Sequence, residues 1–158
     1  MQERPQKIKE EKEKEEDKKM RIYMIVLLDW SGTISKFPKN DLLLGKDVVN
    51  KKLVPFLGCN RIGIISNTSK DHKVLTEAVN RQFSSWSLHC EVQVYNTMFK
   101  NKTLFKKPSP CMIWYALQKM NVDNYKEVIF IGDKESDKRA ALTAGIGFMH
   151  IDTILKLI

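Results

Sequence analysis

No stretch of this sequence stays apolar over the roughly 20 residues that a helix needs to cross a bilayer. Residues 1–19 hold almost no apolar side chains, and a secretory leader requires an apolar core. No leader and no membrane partner are therefore expected. Cysteine is scarce: Cys59, Cys90 and Cys111 are odd in number and lack metal-ligand spacing. That pattern supports neither a disulfide framework nor a zinc cluster, and reduced thiols in a cytosolic setting are expected. The histidines, His72, His89 and His150, are scattered and suggest no site. No segment repeats.

What remains is one domain's worth of ordinary material, 158 residues of which 42% are hydrophobic. Its charge is unusual in size and placement. Residues 1–19 carry seven basic and seven acidic side chains, so the whole net charge of +8 lies on residues 20–158. A basic body favours anionic partners, phosphorylated metabolites or nucleic acid, although solubility explains such a charge as well. Residues 1–19 alternate Lys with Glu and cannot bury a face. They read as a charged tail, disordered or a solvated helix, ahead of a folded domain over 20–158.

The stretch that organises that domain is Ile22-Tyr-Met-Ile-Val-Leu-Leu-Asp-Trp-Ser-Gly-Thr33. An apolar, partly β-branched run ends abruptly on Asp29, and Gly32 permits a sharp turn. Such a run reads as a buried parallel strand. Further strands are predicted over Arg61–Ile65, Leu88–Tyr95, Glu127–Ile131 and Phe148–Ile151. Helices are predicted over Leu42–Leu57 with Gly58 as its stop, Asp71–Phe83, Met112–Met120 and Ser136–Ala144 with Gly145 as its stop. A short helix closes the chain. Strands alternating with helices predict an α/β fold, a three-layer doubly wound parallel sheet.

Chemistry in such sheets sits beyond the carboxyl ends of the strands. Asp29 and Ser31, then Ser66, then Asp133 and Asp137 all fall there, and a loop of four lysines brings Lys107. Converging carboxylates repel unless a cation sits among them, and hard oxygen ligands suit Mg²⁺. A lysine and a hydroxyl beside it can hold a phosphate's oxygens and offset the charge of phosphoryl transfer. An Asp carboxylate can itself attack phosphorus.

These residues resemble the haloacid dehalogenase superfamily. Leu28-Asp29-Trp30-Ser31-Gly32-Thr33 is similar to its first motif, DxDGT, and Ser66-Asn67 to its second. Lys107-Pro108 with Met112 resembles the KPxPGM form of its third, and Gly132-Asp-Lys-Glu-Ser-Asp137 its fourth. The motifs run in order over about residues 22–151. Their flavour is nearest to heptose-bisphosphate and histidinol-phosphate phosphatases, with polynucleotide 3′-phosphatases close by.

The resemblance implies a phosphatase in which Asp29 is the nucleophile and a Mg²⁺ ligand. Ser66 would hydrogen-bond the phosphoryl group, and Lys107 would neutralise it. Asp133 would bind the metal directly, while Asp137 would support it or cap a helix. The main-chain carbonyl of Ser31 would complete the metal's ligands. Gly32, Thr33, Asn67 and Lys106 would lie against the substrate. Position 31 departs from the family, which has a second Asp there as general acid and base. A serine hydroxyl does not ionise near neutral pH, and losing a general acid costs about 10²–10⁴-fold. The chain therefore reads either as a phosphatase suited to good leaving groups or as an impaired domain serving as a binding or regulatory module.

No cap domain fits. The first gap, Ile34–Asp41, allows only a flap, and the second is used by a helix and a strand. An open mouth suits a bulky phosphate such as a nucleic-acid 3′ end. Lys36, Lys39, Lys100, Lys102 and Lys106 could border that mouth as a phosphate track, with Trp30 stacking on a base. Trp114 fits core packing better. A small sugar phosphate is the alternative, although no cysteine cluster like that of the heptose-phosphatase relatives is present.

Overall fold

The computed structural model describes residues 24–30, 33–34, 52–67, 72–90, 92–95 and 106–158. The predicted tail, most of the flap with Lys36 and Lys39, residues 42–51, Lys100 and Lys102 lie outside this set. So do Ser31 and Gly32.

In chain order the elements are β1 (Ile25–Leu28), α1 (Leu53–Leu57), β2 (Arg61–Ile65), α2 (His72–Ser85) and β3 (Val92–Tyr95). They continue with α3 (Cys111–Lys119), a 3₁₀ turn (Tyr125–Glu127), β4 (Val128–Gly132), α4 (Glu135–Ala144), β5 (Gly147–His150) and α5 (Ile151–Leu157). The five strands form one sheet in the order β3-β2-β1-β4-β5, every pairing parallel. This is the predicted doubly wound sheet, and β1 lies at its centre.

The unbroken apolar character of β1 follows from that position, since both faces of the sheet are covered. Val26 and Leu28 face one core with Ile62, Ile64 and Ile131, under Leu53 and Leu57 of α1, Leu75 and Val79 of α2, and Ile151 and Ile154 of α5. Ile25 and Leu27 face the other with Phe130, under Met112, Ala116 and Leu117 of α3 and Ala140, Ala141 and Ala144 of α4. Alternation along a strand thus feeds two cores, which makes three layers. Among the described residues no cap domain is inserted into them.

One helix end explains where a predicted boundary moved, and two others fall where they were predicted. Ser87 adopts a left-handed φ of 57° and the Leu88 N–H donates to the Phe83 carbonyl at 2.8 Å. That turn carries α2 past Phe83 to Ser85 and delays the third strand from Leu88 to Val92. Gly145 closes α4 with φ of 87°, a conformation that needs glycine. Gly58 stops α1 at a right-handed φ of −62° and so uses none of that freedom.

Trp30 does not take the base-stacking role expected of it, and Trp114 is not a core residue. Trp30 is buried with its ring 6.1 Å from that of Phe83, so it packs the core and cannot stack on a base. Trp114 is 43% exposed, and its indole N–H donates to the Ala144 carbonyl at 3.1 Å.

Candidate active site

Parallel neighbouring strands deliver their carboxyl ends to one edge. Leu28 is paired with both Ile64 and Ile131, so Asp29 leaves the sheet between the ends of β2 and β4. The Asp29 N–H still donates to the Ile131 carbonyl at 3.0 Å, which extends the ladder by one residue and fixes the carboxylate's origin. Beyond it, Thr33 and Ile34 both donate to the Trp30 carbonyl and turn the chain.

Lys107 enters this edge from the loop before α3. Its ammonium is buried and donates to Asp29 Oδ1 at 2.9 Å, to Asp137 Oδ1 at 2.6 Å and to the Ile65 carbonyl at 3.1 Å. An ammonium has three donors, and all three are matched. The Phe130 ring lies 5.4 Å from Nζ and adds a cation–π contact.

Asn67 holds the loop that carries this lysine. Its Oδ1 accepts from the Lys107 N–H at 2.8 Å, and its Nδ2 donates to the Lys107 carbonyl at 3.1 Å. Each end of the amide makes one bond, so Asn67 positions Lys107. Two such bonds are worth about 2 kcal/mol together. Asn67→Ala is expected to lower unfolding stability by that amount in urea; an unchanged midpoint would contradict the clamp.

Asp137 takes the helix-capping role that the sequence left open. Besides the ion pair with Lys107, its Oδ2 accepts from the main-chain N–H groups of Asp133 at 3.3 Å and Lys134 at 3.2 Å, capping α4. That carboxylate folds back over Gly132, where a Cβ would fall 2.5 Å from Asp137 Oδ2. Only glycine leaves room. The Gly-Asp of the fourth motif is thus explained by packing as well as by chemistry.

Asp29, Asp133 and Asp137 each offer an oxygen within 4.8 Å of the others'. One of these acids, Asp133, keeps its Oδ1 buried with no hydrogen-bond partner among the described residues. Three carboxylates grouped beside one ammonium carry two negative charges in excess when all are ionised. Burial accordingly pushes the Asp29 carboxyl from 3.8 up to about 7; Lys107 opposes the shift and Asp137 adds to it. Burial also disfavours the Lys107 ammonium, but Asp29 and Asp137 together outweigh it and its pKa rises. Without a further cation the ammonium keeps its charge and the carboxylate is the member that yields.

The remaining predicted residues divide. Ser66 is buried at the end of β2, within the strand edge that carries the cluster. Thr33 is fully buried and its amide closes the turn after β1. Lys106 is exposed beside Lys107. The sequence reading missed His150, whose Nε2 lies 3.1 Å from the Asp133 carbonyl. Strand register brings it there, since Gly132 pairs with His150.

Residues 58–151 match the haloacid dehalogenase-like hydrolase family, and the chain belongs to it. The matching span holds Ser66, Lys107, Asp133 and Asp137 and begins after Asp29. No curated protein matches the sequence. Among solved structures, a D,D-heptose 1,7-bisphosphate phosphatase from B. bronchiseptica, complexed with magnesium and phosphate, is 15% identical. It superposes with a TM-score of 0.63 over 78% of this chain and 78% of its own. A HAD-superfamily hydrolase from Ehrlichia chaffeensis is 20% identical, with a TM-score of 0.53 over 80% of this chain and 85% of its own. A hydrolase from Streptococcus pneumoniae is 13% identical, with a TM-score of 0.58 over 85% of this chain and 97% of its own. At these identities the likeness is one of fold.

Proposed function

We propose that this chain is a Mg²⁺-dependent phosphomonoester hydrolase that carries the phosphoryl group on Asp29. The observation behind this reading is the buried Lys107 ammonium shared by Asp29 and Asp137, with Asp133 beside them, in a member of a hydrolase family. The donor set suits a hard divalent cation: carboxylate oxygens, two unbalanced negative charges, and a buried Asp133 Oδ1 that lacks a partner. Asp29, Asp133 and Asp137 would hold it, with the main-chain carbonyl of Ser31. When bound, Mg²⁺ supplies positive charge that favours the ionised carboxylates and offsets the phosphoryl oxygens.

The protein's own part begins with Asp29. A carboxylate oxygen attacks phosphorus, the bond from phosphorus to the leaving oxygen breaks, and that oxygen departs with the electron pair. Lys107 offsets the charge around the nucleophile, and Ser66 holds a phosphoryl oxygen. Asn67 and Asp137 keep Lys107 where it acts. Water then attacks phosphorus, the bond to Asp29 breaks, inorganic phosphate leaves and the carboxylate is restored. Ser31 cannot donate a proton as a carboxylic acid does, so good leaving groups are favoured.

Two features support a bulky substrate such as a nucleic-acid phosphate end. The described residues contain no cap, and the exposed Lys106 and Lys134 adjoin Lys107 and Asp133 in sequence. Ser31 itself favours a second reading, an impaired domain that binds phosphorylated partners without turning them over. Hydrolysis of p-nitrophenyl phosphate with and without Mg²⁺ separates the two, because its leaving group needs little protonation.

The electrostatics make a separate prediction for the metal-free protein. Asp29 has a folded pKa of about 7 against 3.8, so between those values the native state holds a proton that the unfolded chain has released. Stability therefore falls as pH rises from about 4 to about 7, by at most about 1.4 kcal/mol per pH unit for this one proton. Urea unfolding in a chelator is expected to show this slope and Asp29→Asn to lack it. Equal slopes in the two proteins would contradict the assignment.

A further inference from the structure

Besides its interaction with the Asp29 side chain, the Asp133 carboxylate is held through its own main chain. Its Oδ1 is buried without a partner among the described residues, so its direction depends on how its main chain is held. The amide on one side is fixed by Asp137 Oδ2 at 3.3 Å. The carbonyl on the other side is met by a residue from a different strand, His150, at 3.1 Å.

The state of that imidazole can be deduced. His150 Nδ1 accepts the main-chain N–H of Asp152 at 3.1 Å, where it caps α5. The exposed Asp152 carboxylate lies farther from Nδ1, at 3.6 Å. A ring that accepts at Nδ1 carries its proton on Nε2, and Nε2–H then donates to the Asp133 carbonyl. One ring therefore ties the end of β5 and the start of α5 to the peptide after Asp133.

We propose that His150 is a positioning residue for the cation site: through the Asp133 carbonyl it holds the Asp133 carboxylate toward the metal. This rests on the reading of Asp133 as a Mg²⁺ ligand. Outer-shell hydrogen bonds to metal ligands act on metal affinity about 10–100-fold. Since His150 acts through the backbone and not on the ligand oxygen, a loss of about tenfold is expected.

Two substitutions separate this role from helix capping. In His150→Gln the side-chain amide keeps a donor with reach toward the Asp133 carbonyl but gives up the cap. In His150→Asn the side chain is a good N-cap for α5 but too short to reach Asp133. Mg²⁺ binding to the full chain is measured by titration calorimetry, and thermal unfolding is measured separately in chelator. His150→Asn is expected to bind Mg²⁺ about tenfold more weakly with little loss of thermal stability. His150→Gln is expected to bind close to the unaltered chain while unfolding at a lower temperature.

Equal Mg²⁺ affinity in all three proteins would overturn the proposal and leave His150 as a cap. So would affinities that follow thermal stability. Absence of Mg²⁺ binding in the unaltered chain would overturn the metal reading itself, and the role of His150 with it.

Discussion

Replacing Lys107 by Met is expected to lower phosphatase turnover by about 10²–10³-fold, the range seen when one donor is removed from a preorganised charge-stabilising site. The same change is expected to cost stability. Lys107 is 4% exposed and serves two buried carboxylates, at 2.9 and 2.6 Å. Breaking a buried pair from one side costs about 3–5 kcal/mol, because the remaining charge is stranded. Asp29 can escape part of that cost by taking up a proton, since its pKa already stands near 7. The stability loss should therefore be larger at pH 8 than at pH 5 in urea unfolding without metal. Lys107→Arg should not rescue activity, because a planar fork does not match three acceptors that converge on one nitrogen. Near-normal turnover in Lys107→Met would contradict the placement of this ammonium at the reacting centre.

Ser31→Asp should move rate the other way. In the proposed reading Asp29 is the nucleophile and the neighbouring carboxylates hold the cation, but position 31 supplies no acid to protonate a leaving group. Supplying one is expected to raise turnover of an alkyl phosphate by about 10²–10⁴-fold. A smaller gain is expected with p-nitrophenyl phosphate, whose leaving group departs readily as an anion. The ratio of the two gains is the informative quantity. Equal gains would point to a general effect on the site, and no gain with either substrate would contradict proton transfer as the step that position 31 limits.

Much of the fold was legible because the strands announce themselves twice. Most are short apolar runs that end on a polar residue, as Leu28 does on Asp29 and Ile65 on Ser66. Covered faces on both sides of the sheet explain the runs, and alternation with helices made the pairing parallel. The convergence of Asp29, Lys107, Asp133 and Asp137 was legible for the same reason, since strand ends in such a sheet share one edge.

Other features required contacts that no local pattern encodes. Asn67 reads as a residue of the second motif, yet both bonds of its side chain go to the backbone of a residue 40 positions later. A main-chain partner leaves no trace in residue identity. His150 was passed over because it becomes adjacent to Asp133 only through the register of β4 with β5. Gly132 was part of a motif, but the reason for its missing side chain is the Asp137 carboxylate packed against it. Trp30 and Trp114 were misplaced because an aromatic at a strand end or in a helix's first turn carries no local sign of which way it faces.

The central claim is that Asp29 accepts the phosphoryl group in a metal-dependent reaction. It is tested most directly by p-nitrophenyl phosphate hydrolysis, with and without Mg²⁺, by this chain and its Asp29→Asn variant. The account predicts turnover that requires Mg²⁺ and disappears in the variant while the fold persists. Steady Mg²⁺-dependent turnover by Asp29→Asn would contradict it.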